Sequence, residues 1–285
     1  MEKDVGKTMR RGMMNVIEGA KEAAVGAVDA VTATTVKALE GVREVGASFS
    51  NILVSTVSGA IKAAGEVGGS LTTVTTDSIV GVLKGVHKVA SVTTDVVSDT
   101  VRGAIKGTAD IGGDVASVAK GAVVGAILGT RDIAVSSEAA AAEAAKGVIR
   151  AASEVGSDAG LAAKSAVKGA IGGVAETSGS LTSVIKETTK GLVIAASEVG
   201  GDVAAIAKSA VLGAIEAAKE IGLSAEAASS AAATGAVEAA ETIGGETASA
   251  VRKAVTGTIA GVKVVAKEPF SKEKGKKEKT ARRAA

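Results

Sequence analysis

A strict 22-residue repeat limits the folds open to this chain more than any other feature of its sequence. From Asn15 to Thr256 the sequence can be cut every 22 residues without an insertion or deletion, which gives eleven copies. The first position is Gly in every copy from Gly59 onward, and the fifth is always Gly or Ala. The third position, counted into a partial twelfth copy, is always Ile, Leu or Val: Ile17, Leu39, Ile61, Leu83, Ile105, Ile127, Ile149, Ile171, Val193, Ile215, Val237 and Ile259. Such a period indicates an architecture built from one repeated structural unit.

The length of the repeat indicates α-helix. Twenty-two residues are two elevens, and eleven residues fill three helical turns at about 3.67 residues per turn. On a wheel with that step, the apolar and small positions fall in one arc of roughly 160°, and nearly all the charge lies opposite. A strand would alternate with a period of two, and no such alternation persists. The pattern therefore predicts an all-α protein.

Two arrangements of helix fit this pattern. One is a stack of short helices broken at each repeat-initial Gly, and the other is a single continuous helix. Because loops tolerate insertions, a stack of short helices would be expected to shift the phase of the repeat somewhere, and the 22-residue phase never shifts. We therefore predict one very long continuous helix over residues 15–270, with an N-terminal lead-in at 1–14 and a basic, disordered tail at 271–285. Gly is costly inside a helix, so its recurrence indicates close approach of the backbone to a neighbour.

The apolar stripe of such a helix requires a partner. It would cover on the order of 3,600 Å², whereas a soluble monomer normally exposes a few hundred. We predict a parallel, right-handed homo-oligomeric coiled coil or helical barrel, whose lumen could hold lipid or another apolar molecule. The predicted oligomer core contains the third-position residues and these ninth-position residues: Val45, Val67, Val89, Ile111, Ile133, Val155, Val199, Ile221 and Ile243.

The charges beside the stripe differ between its two margins. The acidic flank comprises Glu22, Glu44, Glu66, Asp110, Asp132, Glu154, Glu176, Glu198 and Glu220. The basic flank comprises Lys21, Arg43, Lys120, Arg131, Lys164, Lys186, Lys208, Lys219, Arg252 and Lys263. Parallel neighbours would bring opposite flanks together, and antiparallel neighbours would bring like flanks together. A helix lying on lipid would instead carry basic residues on both margins.

In its 11-residue period and its small core residues the sequence resembles hendecad coiled-coil proteins, over nearly the whole chain. Segments such as Glu66-Val67-Gly68-Gly69 and Ala152-Ser153-Glu154-Val155-Gly156 also resemble the lipid-surface helices of the synuclein, perilipin and apolipoprotein type. Late-embryogenesis-abundant proteins share the period as well. These resemblances imply a self-assembling coiled coil, a lipid-surface coat or a stress-protective helix, respectively.

The residue types present argue against catalysis. The chain has no Cys and one His, His87, which lies at a position usually held by Lys or Arg, so neither a metal site nor a nucleophile with its base is expected. We predict no enzyme activity and no cofactor. The N-terminus lacks a secretion-signal pattern and no segment reads as membrane-spanning, which predicts a cytoplasmic location, with membrane association left open.

These observations predict a non-enzymatic structural protein that self-assembles into an elongated scaffold, stalk or tube. The alternative is an amphipathic protein that coats lipid droplets, storage granules or membranes. The basic tail could contact an anionic surface. Sequence-specific nucleic-acid binding is not expected, because the chain has only two aromatic residues, Phe49 and Phe270.

Overall fold

The computed structural model describes residues 24–42, 49–66, 68–175 and 180–266. Within them it has eleven helices and one hairpin. The helices are α1 (Ala24–Val42), α2 (Phe49–Glu66), α3 (Leu71–Val89), α4 (Thr94–Asp110), α5 (Val115–Gly129), α6 (Ser137–Glu154), α7 (Ala159–Ala175), α8 (Leu181–Glu198), α9 (Val203–Glu220), α10 (Ala225–Ile243) and α11 (Gly245–Val255), and the strands are β1 (Gly257–Ile259) and β2 (Val262–Val264). The lead-in at 1–14 and the tail at 271–285 lie outside the described residues, as do Ile17, Val45 and Val67.

The prediction of an all-α protein is confirmed for the described residues apart from the hairpin, but the prediction of one continuous helix is wrong. A new helix begins once in every repeat. The break is not at the repeat-initial Gly but at the tenth position of the repeat. Gly200, for example, has φ +70°, a left-handed conformation that ends a helix and that Gly adopts at little cost.

Paired backbone hydrogen bonds close these helix ends. After α8, the N–H of Gly201 donates to Ala196 O at 2.8 Å and that of Gly200 donates to Ser197 O at 3.2 Å, which is the Schellman arrangement. Shortly afterwards Asp202 begins α9, because its carboxylate accepts from the N–H of Ala205 at 2.9 Å. The glycine that ends one helix and the residue that caps the next thus lie within one short turn. The chain reverses direction there, and the 22-residue phase of the repeat is kept.

The helices stack in two layers. From α1 to α8, each helix packs most extensively against the helix two places further along the chain and less extensively against its immediate successor. We call α1, α3, α5, α7 and α9 the odd layer, and α2, α4, α6, α8 and α10 the even layer. Because consecutive helices reverse direction, neighbours within one layer are parallel. This is the arrangement of a solenoid, in which each unit contacts only nearby units.

The apolar stripe of the repeat is buried between the layers of one chain. Every described third-position residue from Leu39 to Ile259 is buried, and most have no exposed surface. The ninth-position residues are not fully buried in this core, because they lie at the turns, although Val89, Ile133 and Val155 pack against it. Ile221 is 47% exposed and Ile111, Val199 and Ile243 are also exposed, while Val89, Ile133 and Val155 are half-buried.

From Gly81 to Gly235, the repeat-initial glycines lie inside the helices, where parallel neighbours meet. A Cβ added to Gly191 in α8 would collide with the backbone of Ala142 in α6, and one added to Gly235 in α10 would collide with the backbone of Lys186 in α8. The two members of each contact are separated by the same stretch of sequence, and other repeats show the same offset. The expectation that these glycines permit close backbone approach is therefore met, although the neighbour belongs to the same chain.

The last part of the described chain departs from the helical repeat. The predicted helix continues to residue 270, whereas β1 and β2 form an antiparallel hairpin in which Gly257 pairs with Val264 and Ile259 with Val262. Ala260 and Gly261 both have positive φ, as a tight two-residue hairpin turn requires. The β-branched residues of these strands favour extended backbone. The hairpin contacts α10, and α11 packs on α9 and α10, so together they cover this end of the stack.

Candidate interaction surfaces

The outer face of the even layer carries a ladder of ion pairs between parallel helices. Lys62 in α2 reaches Asp110 in α4 at 2.6 Å, and Arg150 in α6 reaches Glu198 in α8 at 2.7 Å. The other bonds of the ladder join Arg102 and Lys106 to Glu154, and Lys186 and Lys190 to Glu238. In every case the acid follows the base by two repeats plus one or two helical turns. The same spacing therefore recurs at each pair of neighbouring helices in the layer.

In the odd layer the described ion pairs between parallel helices join only α7 and α9. Lys164 and Lys168 both bind Glu216, at 2.5 and 2.9 Å, and Lys168 also binds Glu220 at 2.8 Å. Hydrogen bonds from Lys164 and Lys168 lower the pKa of Glu216 below its ordinary value. The hydrogen bonds to Glu220 and Glu216 raise the pKa of Lys168. All of these side chains keep contact with solvent, so each pair contributes little stability by itself.

Threonine hydroxyls take the place of ion pairs at the other end of the odd layer. Thr32 in α1 donates to Gly81 O in α3 at 3.1 Å, and Thr76 in α3 donates to Gly121 O in α5 at 3.1 Å. Gly81 is a repeat-initial glycine, and Gly121 lies one helical turn before the repeat-initial Gly125. The odd layer is therefore joined by hydroxyl–carbonyl hydrogen bonds from α1 to α5, and by charged pairs between α7 and α9.

The predicted flank residues meet new partners in this arrangement. Asp110, Glu154, Glu198 and Glu220 of the acidic flank bind bases that the sequence did not single out, namely Lys62, Arg102, Lys106, Arg150 and Lys168. From the basic flank, Lys164, Lys186 and Arg252 bind the acids Glu216, Glu238 and Glu241. Asp132 and Arg131 lie next to each other in sequence and form a loose 3.9 Å pair. Glu22, Glu44, Glu176, Lys21 and Arg43 lie outside the described residues.

The missed bases follow a simple rule. They occupy the fourth and twenty-second positions of the repeat, close to the centre of the outward face rather than at its basic margin. Opposite charges face each other between parallel helices of one chain, and the predicted pairing between parallel sister chains stays a prediction. The signal in the sequence was the recurrence of an acid just over two repeats after a base.

The outward surface of α5, α7 and α9 differs from the rest. We call it the lysine face, and it is formed by Lys120, Val124 and Leu128 of α5, Lys164 and Lys168 of α7, and Lys208 and Leu212 of α9. Lys120, Lys164 and Lys208 recur in every second repeat and therefore form a row across three parallel helices. Lys120 and Lys208 are exposed, and the three apolar side chains are partly exposed.

A shallow groove lies where the turns after α6 and α8 meet. It encloses about 540 Å³ and is lined in part by Ser153, Asp158, Asp202 and Ser209. Asp158 and Asp202 are occupied in capping the helices that follow them, through backbone N–H groups of Gly160, Leu161 and Ala205. The groove is open and holds no nucleophile paired with a base.

Metal and membrane-spanning features are not found in the part of the chain that the structure describes. Nowhere in the described ranges do three or more His, Asp or Glu side chains gather as metal ligands. His87 is exposed near the end of α3. Of the described helices, none combines the length and the apolar character needed to cross a bilayer.

Comparison with protein-family models gives no match for this chain, and comparison with curated proteins gives none either. The resemblance to hendecad coiled coils and lipid-surface helices therefore stays a prediction. Function has to be inferred from the surfaces of the chain itself.

Proposed function

We propose that the protein is a non-enzymatic structural scaffold that works as a folded two-layer solenoid, holding what binds to its surfaces at fixed distances. The observation that carries this proposal is the core. The buried side chains form one continuous apolar cluster from Val31 in α1 to Ala266 beyond β2. Because neighbouring helices also interlock at their glycines, bending of one unit against the next would break close contacts.

The two-layer core bears on the proposed self-assembly. A partner chain was expected because an exposed apolar stripe on a single helix would be unstable in water. Other helices of the same chain now cover that stripe. A homo-oligomer remains a prediction, but its interface would have to use the charged outer faces or the turns, where Leu161, Ile221 and Leu223 are exposed.

Spin-label distance measurements test the scaffold directly, since the chain has no native Cys. Thr73, Ser117, Leu161 and Ala205 are equivalent exposed positions on α3, α5, α7 and α9. For a chain labelled through Thr73→Cys and Ala205→Cys, we expect one narrow distribution near 24–30 Å, about three interhelical spacings of 8–10 Å. One continuous helix would instead separate the labels by about 200 Å.

The Ser117→Cys single variant is the matched control. A monomeric scaffold gives no defined distance with one label, whereas a parallel homo-oligomer brings equivalent labels of different chains together. A broad distribution in the doubly labelled chain would overturn the proposal of a rigid scaffold. Circular dichroism in plain buffer accompanies both measurements, because a helix that forms only on lipid or on drying would appear there as a disordered chain.

A further inference from the structure

The two layers carry opposite charge. The helices of the odd layer contain eight Lys or Arg residues against five Asp or Glu residues, whereas those of the even layer contain seven against twelve. Most of the bases of the even layer form ion pairs within the ladder. The excess positive charge of the molecule's helices therefore lies on one side, the side of the lysine face.

Two lysines of the lysine face occupy ladder positions that have no acid to bind. Lys164 and Lys186 each bind a glutamate two repeats and two helical turns further along the chain, Glu216 and Glu238. The equivalent position for Lys120 is Gly172, and for Lys208 it is Ala260. Neither lysine forms an ion pair within the described residues, so their charges are available to an external partner.

Apolar side chains lie between these lysines. Val124, Leu128 and Leu212 stand at outward positions that hold Lys168 or Glu216 on neighbouring helices, and Leu161 at the start of α7 is 53% exposed. A Cβ added at Gly172, between Leu128 and Glu216 in this row, would meet no atom within 4 Å. Apolar side chains stay in contact with water on a solvated surface, whereas a surface that dips into the headgroup region of a bilayer buries them.

We propose that the lysine face docks the folded solenoid on the surface of an anionic phospholipid membrane. Lys120 and Lys208 contact the negatively charged headgroups, and the leucines and valine of the same face enter the interfacial region. The acidic even layer faces away from the membrane, because anionic lipid repels it. The idea requires the folded solenoid of the proposed function but not the homo-oligomer.

Two other partners fit less well. Nucleic acid would use the lysines, but α5, α7 and α9 contain no Arg and no aromatic residue to read or stack on bases, and the leucines would contribute nothing. A second copy could place its acidic even layer here, but four of the twelve acids of that layer are bound in its own ladder, and a charged face would give the leucines no apolar contact.

The test is flotation of the full-length chain with vesicles of phosphatidylcholine alone and of phosphatidylcholine mixed with phosphatidylglycerol. We expect binding to the anionic vesicles only. Because one lysine near such a surface changes the partition coefficient about fivefold, Lys120→Gln with Lys208→Gln should lower it about thirtyfold. The Leu161→Ser variant should weaken binding further while leaving the melting temperature unchanged.

The matched control neutralises two lysines of the even layer, Lys106→Gln with Lys190→Gln, and should bind as the parent chain does. The proposal is overturned if no vesicles are bound, or if both double variants lose binding equally. If the Lys120 and Lys208 variant bound anionic vesicles as strongly as the parent chain, the binding would be assigned to the basic tail at 271–285, and the proposal would also be overturned. If the chain does not bind vesicles but these lysines bind duplex DNA or support dimer formation, the proposal is overturned as well. Circular dichroism of each variant separates these results from a failure to fold.

Discussion

At the scale of single residues, the glycine at the start of each repeat sets how closely parallel helices approach. Gly191 faces the backbone of Ala142, whereas Gly172 faces open space, although both are helical glycines. We expect Gly191→Ala to lower the free energy of unfolding by about 1–3 kcal/mol through overpacking. Gly172→Ala should raise it by up to about 1 kcal/mol, because alanine favours helix. Thermal and urea unfolding of both variants give the comparison, and similar effects in the two would contradict the close packing at Gly191.

A second residue-scale prediction concerns Thr75, which is fully buried in α3. Its hydroxyl is the one buried side-chain oxygen or nitrogen among the described residues that has no hydrogen-bond partner. An unsatisfied buried hydroxyl is costly, so Thr75→Val should raise the free energy of unfolding by about 1–2 kcal/mol. Thr108→Val is the control, since that buried hydroxyl donates to Ala104 O at 2.9 Å and its loss should give no gain. Urea titrations at neutral pH would decide, and a less stable Thr75 variant would refute the assignment.

At the scale of the elements, the ion pairs between α7 and α9 make the stability of their contact depend on pH. The pKa of Glu216 is lowered in the folded chain, so its contribution is complete above the ordinary glutamate pKa of about 4.3 and is lost as the pH falls through the folded value. The pKa of Lys168 is raised, so its contribution is lost only when the pH rises through that raised value. Between these limits the pairs are intact.

We therefore expect Glu216→Gln to be less stable than the parent chain at pH 7, by at most about 1 kcal/mol for pairs this exposed. At pH 3 the difference should be smaller, because protonation of Glu216 in the parent begins as the pH falls below the ordinary glutamate pKa. Glu40→Gln, on the exposed surface of α1, should behave as the parent does at both values. Chemical denaturation at the two pH values measures this, and a difference at pH 3 as large as that at pH 7 would show that the charge of Glu216 is not its cause.

The sequence predicted the helical class, and it placed the third position in an apolar stripe and the glycines at close backbone contacts, but it assigned both to an oligomer and missed the helix boundaries. Phase was maintained through the turns because one helix and its turn together take up about one repeat, so unbroken phase did not imply an unbroken helix. The stop and start signals were present in Gly200 and Asp202, as a left-handed Gly followed by an N-cap residue. Which helix lies beside which could not be predicted, since every repeat presents nearly the same surface to its neighbours.

At the scale of the whole molecule, two consecutive helices form the unit that can be removed. Deleting residues 115–158 takes out α5, α6 and the turns that follow them, and it leaves Asp114 in place as the cap of α7. Gly169 would then meet Thr76, as Gly125 does in the full chain. We expect a folded, helical protein with a somewhat lower melting temperature, because solenoid stability sums over neighbouring units.

Deleting residues 115–147 is the informative counterpart. It removes one and a half repeats, which keeps the hendecad period but leaves only a fragment of α6 after the turn. A continuous hendecad helix would tolerate this deletion as well as the first, whereas the two-layer stack should lose cooperative unfolding. Circular dichroism and thermal melts of both proteins distinguish the two, and equal behaviour would contradict the stacked arrangement.

The uniform glycine contacts have a consequence for how the chain folds. Any helix of a layer can fit the surface of several others, so partly folded chains are expected to dock helices in the wrong order or to exchange them with another molecule, as repeat proteins do. The hydrogen bonds of threonine hydroxyls from α1 to α5 and the ion pairs between α7 and α9 are specific to particular pairs of helices. They make the native neighbours of a helix more stable than other neighbours. Diluting the chain during refolding should therefore suppress helix exchange between molecules, which requires an encounter, but not misordered docking within one molecule, which does not.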